Sequence, residues 1–115
     1  MTYRPNIERG KRVLCFYEKP EVAYRAAADS TALMPDVLRR AGTKPAALRA
    51  VAYFAFTAAA YSADAADIAL YVAAIKPTRA NVNYAKATAH AAHAAAALTT
   101  GYENAAAATK EEKSK

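Results

Sequence analysis

A stretch of 32 residues, from Lys44 to Ile75, contains no glycine and only one proline, Pro45, at its start. Glycine and proline are the residues that most disfavour a helix interior, so this run predicts one helix, about 48 Å long at 1.5 Å per residue. Its apolar residues recur at alternating intervals of three and four, which is typical of a helix packed on another helix. They are Val51, Phe54, Ala58, Tyr61, Ala65, Ile68, Val72 and Ile75.

A second helix is predicted from Arg79 to about Thr99, with Thr78 as its N-terminal cap and Gly101 as its end. Two consecutive helices joined by a tight turn and carrying matching apolar stripes predict an antiparallel hairpin. A kink near Ser62, where a fresh helix could be capped, is the alternative for the first helix. Because alanines line both stripes, we expect the two backbones to pack closely. The stripe of the second helix comprises Tyr84, Ala87, Ala91, Ala94 and Leu98.

Shorter elements are predicted before this hairpin. Residues 1–19 are expected to form an extended arm, with one helical turn after Asn6. Two short helices should follow, one over 20–29 and one over 35–41 that ends at Gly42, with Thr43 capping the long helix. The predicted fold class is therefore all-α: a long antiparallel helical hairpin preceded by short helices and an extended N-terminal arm. The corresponding divisions are a basic arm with short helices (1–43), an Ala-rich hairpin (44–101) and a charged tail (102–115), whose first part could continue as frayed helix.

The apolar content of the chain is mostly alanine. Alanine supplies 34 of the 115 residues, whereas leucine, isoleucine, valine and phenylalanine together supply 18. Alanine favours helices but buries little surface, and burial stabilises by only about 25 cal/mol per Å². The sequence therefore predicts helices with a thin core, and a chain whose stability depends on partner proteins.

Basic and aromatic residues indicate which parts of the chain could contact partner molecules. The chain has a net charge of +6, and residues 1–49 carry ten lysines and arginines against five acids. Such an arm suits acidic proteins or anionic lipid headgroups, and with its tyrosines it could also follow a nucleic-acid backbone. Tyr53 and Phe56 lie off the apolar stripe, so either the N-terminal arm partly buries them or they dock on another protein, since aromatic residues are enriched at interfaces. The predicted partner interface comprises Tyr3, Arg4, Arg12, Phe16, Tyr17, Tyr53 and Phe56.

Asp64 and Asp67 are the only charged residues between positions 50 and 75. Paired carboxylates can perform acid–base catalysis, but only in a cleft that separates their pKa values. Because an Ala-rich hairpin offers no evident cleft, we favour either a polar break in the long helix or salt links to Arg79 or Lys86 on the facing helix.

Two other features could carry chemistry. His90 and His93 are three residues apart and share a helix face, so both imidazoles could reach one metal ion, yet no further ligands accompany them. We favour ordinary surface or interface histidines. Cys15 lies at the centre of residues 13–17, which we call the apolar pentad, and it is interpreted as a small buried side chain rather than a reactive thiol.

Targeting and membrane signals are weak. The first residues mix acids with bases, unlike a secretory or mitochondrial leader, and the most apolar window, 46–63, is interrupted by Arg49 and followed by Asp64.

The sequence predicts no enzyme, cofactor, metal or small-molecule substrate. We expect an intracellular, non-catalytic accessory subunit of a larger protein assembly, with composition suggesting a mitochondrial membrane-associated energy-converting complex. One alternative is a basic, nucleic-acid-associated protein at the periphery of a ribonucleoprotein. Another is a free small binding protein, such as an inhibitor or antitoxin, whose purified monomer would melt cooperatively.

Overall fold

The computed structural model describes residues 3–42 and 45–114, and it contains four helices and no strand in those ranges. The all-α prediction is confirmed. The cap predicted at Thr43 and the predicted first residue of the hairpin, Lys44, lie outside the described residues. The helices are α1 (Ile7–Tyr17), α2 (Pro20–Ala41), α3 (Pro45–Ile75) and α4 (Arg79–Ser114).

Local sequence signals explain four of the eight helix ends. The Asn6 side chain accepts a backbone N–H of the first turn of α1 at 2.9 Å, and Pro20 occupies the first turn of α2. Gly42 ends α2 with a positive φ of 59°, a conformation that glycine adopts at little cost. Thr78 caps α4 as predicted, because its hydroxyl accepts a backbone N–H of the first turn at 3.1 Å.

The N-terminal third is more helical than predicted. Residues 7–17 form α1 rather than an extended arm, and the two short helices expected over 20–29 and 35–41 are one helix, α2. Pro35 lies inside α2 although an interior proline costs about 3 kcal/mol. Its neighbours explain why the helix continues, since Met34 is buried with Val51 of α3 and the next turn of α2 packs on the same cluster.

The prediction that α4 ends at Gly101 is wrong, because the helix continues to Ser114. A Cβ added at Gly101 would meet open space, so nothing around this position requires a glycine. Tyr102 packs against the buried cluster of Met34 and Val51, which holds the chain in register past the glycine. Tertiary packing therefore outweighs the weak helix propensity of one residue.

α3 is the central helix, and each of the other three helices packs on it. α3 and α4 run antiparallel, because Thr99 donates a hydrogen bond to the Ala55 carbonyl at 3.0 Å while Ala85 packs beside Ala69 and Ala73. The molecule is elongated, with extents of 56 × 25 × 23 Å. Within the described ranges one segment, Ala47–Ile75, has the length and apolar composition to cross a membrane; 44% of its most apolar window is buried by the rest of the chain.

Small side chains line the α3–α4 seam. Of the two predicted stripes, Val51, Ala58, Ala65 and Ile68 are buried and Phe54 and Val72 are half-buried, whereas the other members are exposed: Tyr61, Ile75, Tyr84, Ala87, Ala91, Ala94 and Leu98. The regularly spaced buried positions also include residues that were not assigned to a stripe: Ala55, Ser62 and Ala69 of α3, and Ala85, Ala92 and Thr99 of α4. Small side chains at the centre allow the backbones to approach closely, which places the larger residues at the edges of the seam.

Candidate functional site

One face of α3 points away from both α2 and α4 and carries two contrasting halves. Residues spaced three or four apart share a helix face. The members of this outer face are Arg49, Tyr53, Phe56, Ala60, Asp64 and Asp67. The C-terminal half is covered by α1, whereas the N-terminal half is exposed in the described part of the chain.

The covered half is built around Asp67, whose side chain is 0% exposed. Its Oδ1 accepts a hydrogen bond from the Tyr3 hydroxyl at 2.5 Å and another from the Asn6 backbone N–H at 3.0 Å. Its Oδ2 accepts from Arg9 Nη1 at 2.5 Å. A buried carboxylate is tolerable only when its charge is paired and its oxygens are hydrogen-bonded, and both conditions are met here.

Asp64, one turn earlier, completes what we call the carboxylate cluster: Asp64 and Asp67 of α3 with Arg9, Tyr3 and Tyr17. Asp64 Oδ1 accepts from Arg9 Nη2 at 2.6 Å, and Oδ2 accepts from the Tyr17 hydroxyl at 2.7 Å. One guanidinium thus bridges two carboxylates separated by a helical turn, an arrangement that its planar set of donors favours.

Gly10 allows α1 to reach this position. A Cβ at Gly10 would lie 2.1 Å from the Asp67 carbonyl oxygen, so no other residue fits without moving the helix. The backbone of α1 therefore touches the backbone of α3 directly beside the carboxylate cluster. Close approach and hydrogen bonding depend on each other here, because the cluster forms only if α1 lies this near.

Burial and hydrogen bonding shift the ionisation of the donors. Burial raises the pKa of Tyr3 above its usual value, and the hydrogen bond to Asp67 raises it further. Burial, followed by the hydrogen bond to Asp64, does the same to the pKa of Tyr17. Burial alone would lower the pKa of Arg9, but its hydrogen bonds to both carboxylates outweigh that effect and the pKa is raised. All three groups are therefore held in their hydrogen-donating forms.

The cluster differs from the sequence-based interpretation in two respects. The cation that pairs with Asp64 and Asp67 is Arg9, not Arg79 or Lys86. Tyr3 and Tyr17, predicted to face other proteins, donate to carboxylates of the same chain. Every carboxylate oxygen of the pair accepts a hydrogen bond, so the arrangement is suited to holding α1 in place rather than to transferring protons.

Sequence reasoning missed Arg9, Asn6 and Gly10 as parts of this site. Two signals pointed to it: an uncompensated pair of acids in a neutral stretch, and a glycine in the middle of a potential helix. Neither signal says which of the chain's sixteen basic residues meets the acids, because Arg9 and Asp67 are 58 positions apart.

The exposed half of the outer face carries two large aromatic side chains. Tyr53 is 76% exposed and Phe56 is 58% exposed, and Arg49 and Ala60 on either side of them are also exposed. We call these four residues the aromatic face. The residues that precede α2 in the described part of the chain lie over the carboxylate half of α3, so the alternative in which the N-terminal arm partly buries Tyr53 and Phe56 is not what the structure has.

The remaining predicted interface residues lie on or before α1. Arg4 and Arg12 are exposed, and Phe16 is 83% exposed near the C-terminal end of α1. Cys15, expected to be buried, is exposed, and its thiol donates weakly to the Lys11 carbonyl at 3.8 Å. That expectation was wrong because only one side of the apolar pentad faces α3.

The two histidines do not form a shared site. His93 is half-buried, and its Nδ1 accepts the Tyr3 backbone N–H at 3.3 Å, whereas His90 is exposed. No group of three or more potential metal ligands occurs among the described residues. His93 thus contributes to positioning the segment before α1.

A shallow apolar groove lies between α2 and α4, with α3 as its floor. Tyr24 and Tyr84 meet across its end with ring centroids 4.7 Å apart, and burial raises the pKa of Tyr24 to about 12. Two adjoining cavities of about 430 and 370 Å³ occupy the groove, and both are lined mainly by alanines. Ala91, predicted to lie in the seam, lines both cavities.

The chain matches no family model, and no curated protein or solved structure proves significantly similar to it.

Proposed function

We propose that this chain is a non-catalytic accessory subunit that braces a larger protein assembly, and that it docks there through the aromatic face of α3. The observation that carries the proposal is the exposure of Tyr53 and Phe56 side by side on the central helix. Aromatic side chains are enriched at the centres of protein interfaces, where a few of them supply most of the binding energy.

The position of the aromatic face supports a bracing role. α3 is held by α2, by α4 and, through the carboxylate cluster, by α1. The backbone that carries the aromatic face is already held in place, so docking costs only the ordering of the side chains themselves. The elongated shape, 56 Å in its longest direction, suits a subunit that connects neighbouring proteins.

The chemistry of the face indicates what a partner should offer. An apolar groove would accept Phe56 and the ring of Tyr53, and an acidic group at its edge would pair with Arg49. We place the assembly at the periphery of a membrane-embedded energy-converting complex, in mitochondria, on the basis of composition. The apolar segment Ala47–Ile75 is compatible with that setting.

The test compares variants expressed in the source cells in place of the native chain. In the combined variant Tyr53→Ser and Phe56→Ser we expect the share of chain that migrates in a large complex to fall at least tenfold. The matched control is Leu33→Ser, which removes an exposed apolar side chain from α2. Equal incorporation of all three chains, each folded by circular dichroism, would contradict the proposal.

The nucleic-acid alternative predicts a different salt response. Binding through phosphate contacts weakens steeply between 50 and 200 mM salt, by about a thousandfold for six contacts. Docking through aromatic side chains should weaken little over this range. A complex that dissociates on adding salt or nuclease would therefore favour the alternative.

A further inference from the structure

The connection between α1 and α2 contains an unfavourable backbone conformation at Glu18. Its φ is 67° and its ψ is −43°, and Glu18 is the only non-glycine residue with a positive φ in the described chain. The Lys19 N–H donates to the Tyr17 carbonyl at 2.8 Å, so Glu18 is the central residue of a γ-turn of the rare, strained hand. Such a conformation persists only where the surrounding structure imposes it.

The two helices on either side impose it. α1 ends beside Asp64, to which Tyr17 donates, whereas Pro20 at the start of α2 lines a cavity together with Ala69 and Val72 of α3. The chain must therefore turn sharply within Glu18 and Lys19. Lys19 is extended, as the residue before a proline prefers, so the strain is confined to Glu18.

α1 is attached to the rest of the chain mainly through α3. It packs far more extensively on α3 than on α2, and its polar contacts are those of the carboxylate cluster. These contacts are directional and specific, but nothing in them requires that α1 and α3 belong to the same molecule. A second copy of α1 could make the same hydrogen bonds and place its Gly10 at the same position.

We propose that α1 exchanges between two copies of this chain, with Glu18 as the hinge, so that Arg9, Tyr3 and Tyr17 of each copy bind Asp64 and Asp67 of the other. Exchange preserves every contact of the carboxylate cluster and lets Glu18 leave the positive φ region. A short hinge under strain is a recognised cause of such exchange. The partner copy then supplies the residues that cover and pair the two carboxylates, which would otherwise be left uncovered and without their donors.

The first test changes the strain at the hinge and leaves the carboxylate cluster intact. Glu18→Gly tolerates a positive φ, whereas the β-branched side chain in Glu18→Val opposes it. Strain of this kind is worth roughly tenfold in population per chain, so sedimentation equilibrium should give Glu18→Gly a dimer association constant about a hundredfold below that of the native chain. Glu18→Val should dimerise more tightly.

Matched controls use the neighbouring extended residue, through Lys19→Gly and Lys19→Val, which should leave the association constant within about threefold. Dimerisation that is indifferent to all four changes, or that disappears only in the Tyr53→Ser and Phe56→Ser variant, would overturn the proposal. So would a native chain and a Glu18→Val chain that both remain monomeric at the highest soluble concentration.

A mixing experiment stays informative if a hinge variant fails to fold. An Arg9→Ala chain lacks a working α1, and an Asp67→Asn chain lacks the intact acceptor. Exchange predicts that a mixture forms heterodimers, because each contains one complete cluster, at least tenfold in excess of either homodimer. Mixing in statistical proportions would show that α1 binds only its own α3.

Discussion

The two halves of the outer face of α3 have the same geometry but opposite chemistry. The C-terminal half presents Asp64 and Asp67, and α1 covers it through directional hydrogen bonds. The N-terminal half presents Tyr53 and Phe56, which the described residues leave exposed. Burying a charge is unfavourable in free energy unless an opposite charge is permanently bound to it. An exposed aromatic ring carries no such penalty when no partner is bound. The polar half is therefore suited to a contact formed within or between copies of this chain, and the aromatic half to a different protein.

The largest effect should follow the loss of the cation in the polar half. Arg9→Ala leaves Asp67 buried with two neutral donors, and we expect the free energy of unfolding to fall by about 3 kcal/mol, at the low end for a broken buried ion pair because Arg9 is partly exposed. Urea denaturation measures this loss. Arg12→Ala, an exposed change on α1, should stay within about 0.5 kcal/mol. Equal effects would mean that the cluster does not hold α1.

Closing the approach between α1 and α3 should have the next largest effect. The added Cβ in Gly10→Ala would collide with the Asp67 carbonyl, so we expect a loss of about 2 kcal/mol. The matched control is Gly101→Ala, whose Cβ meets open space inside α4 and which should stabilise by about 0.5–1 kcal/mol. Thermal melts of the two variants should shift in opposite directions. Two upward shifts would show that α1 does not lie against α3.

The tyrosines of the polar half should contribute less, and in a pH-dependent way. Each hydroxyl donates to a carboxylate, so Tyr17→Phe should cost about 1.5 kcal/mol at neutral pH. The raised pKa values of Tyr3 and Tyr17 mean that unfolded chains lose these protons first, near pH 10. Their stabilisation is therefore complete below pH 10 and declines as the pH rises above it.

Urea denaturation between pH 9 and 11.5 measures this decline. The combined variant Tyr3→Phe and Tyr17→Phe should lose less stability over that interval than the native chain, whereas Tyr53→Phe, an exposed change, should follow the native chain. A native slope in the combined variant would contradict the assignment of both hydroxyls to the cluster.

The smallest effect on stability should come from the aromatic half. Tyr53→Ser with Phe56→Ser should change the free energy of unfolding of the isolated chain by no more than about 0.5 kcal/mol, because both rings are exposed. A loss of more than 2 kcal/mol would show that the rings stabilise the chain itself and would remove the reason to regard them as a docking surface.

Features of the fold that depend on neighbouring residues could be predicted from the sequence, whereas those that depend on residues far apart in the chain could not. Pro20, Gly42 and Thr78 mark helix ends through contacts within a few residues, and the sequence predicted them correctly. Pro35 and Gly101 were misread as breaks, because Met34 and Tyr102 beside them pack on a distant cluster that local reasoning does not include.

The candidate site was harder to predict for the same physical reason. The predicted stripes combined alanines with larger apolar residues, whereas small side chains alone form the regularly spaced centre of the seam, because they allow the helices to approach. The acids of α3 were identified, but their partner, Arg9, is set by how α1 crosses α3, and that crossing depends on Gly10. The spacing placed Tyr53 and Phe56 off the apolar stripe but did not decide whether the N-terminal segment covers them, because that depends on where α1 crosses α3.

Hydroxyl-radical footprinting of the native assembly tests the central claim most directly, because it reports side-chain exposure without any substitution. We predict that oxidation of Tyr53 and Phe56 is at least fivefold slower in the assembly than in the isolated chain, while Leu33 on α2 reacts equally in both. Unchanged oxidation of both rings in an assembly that contains the chain would show that the aromatic face is not where it docks.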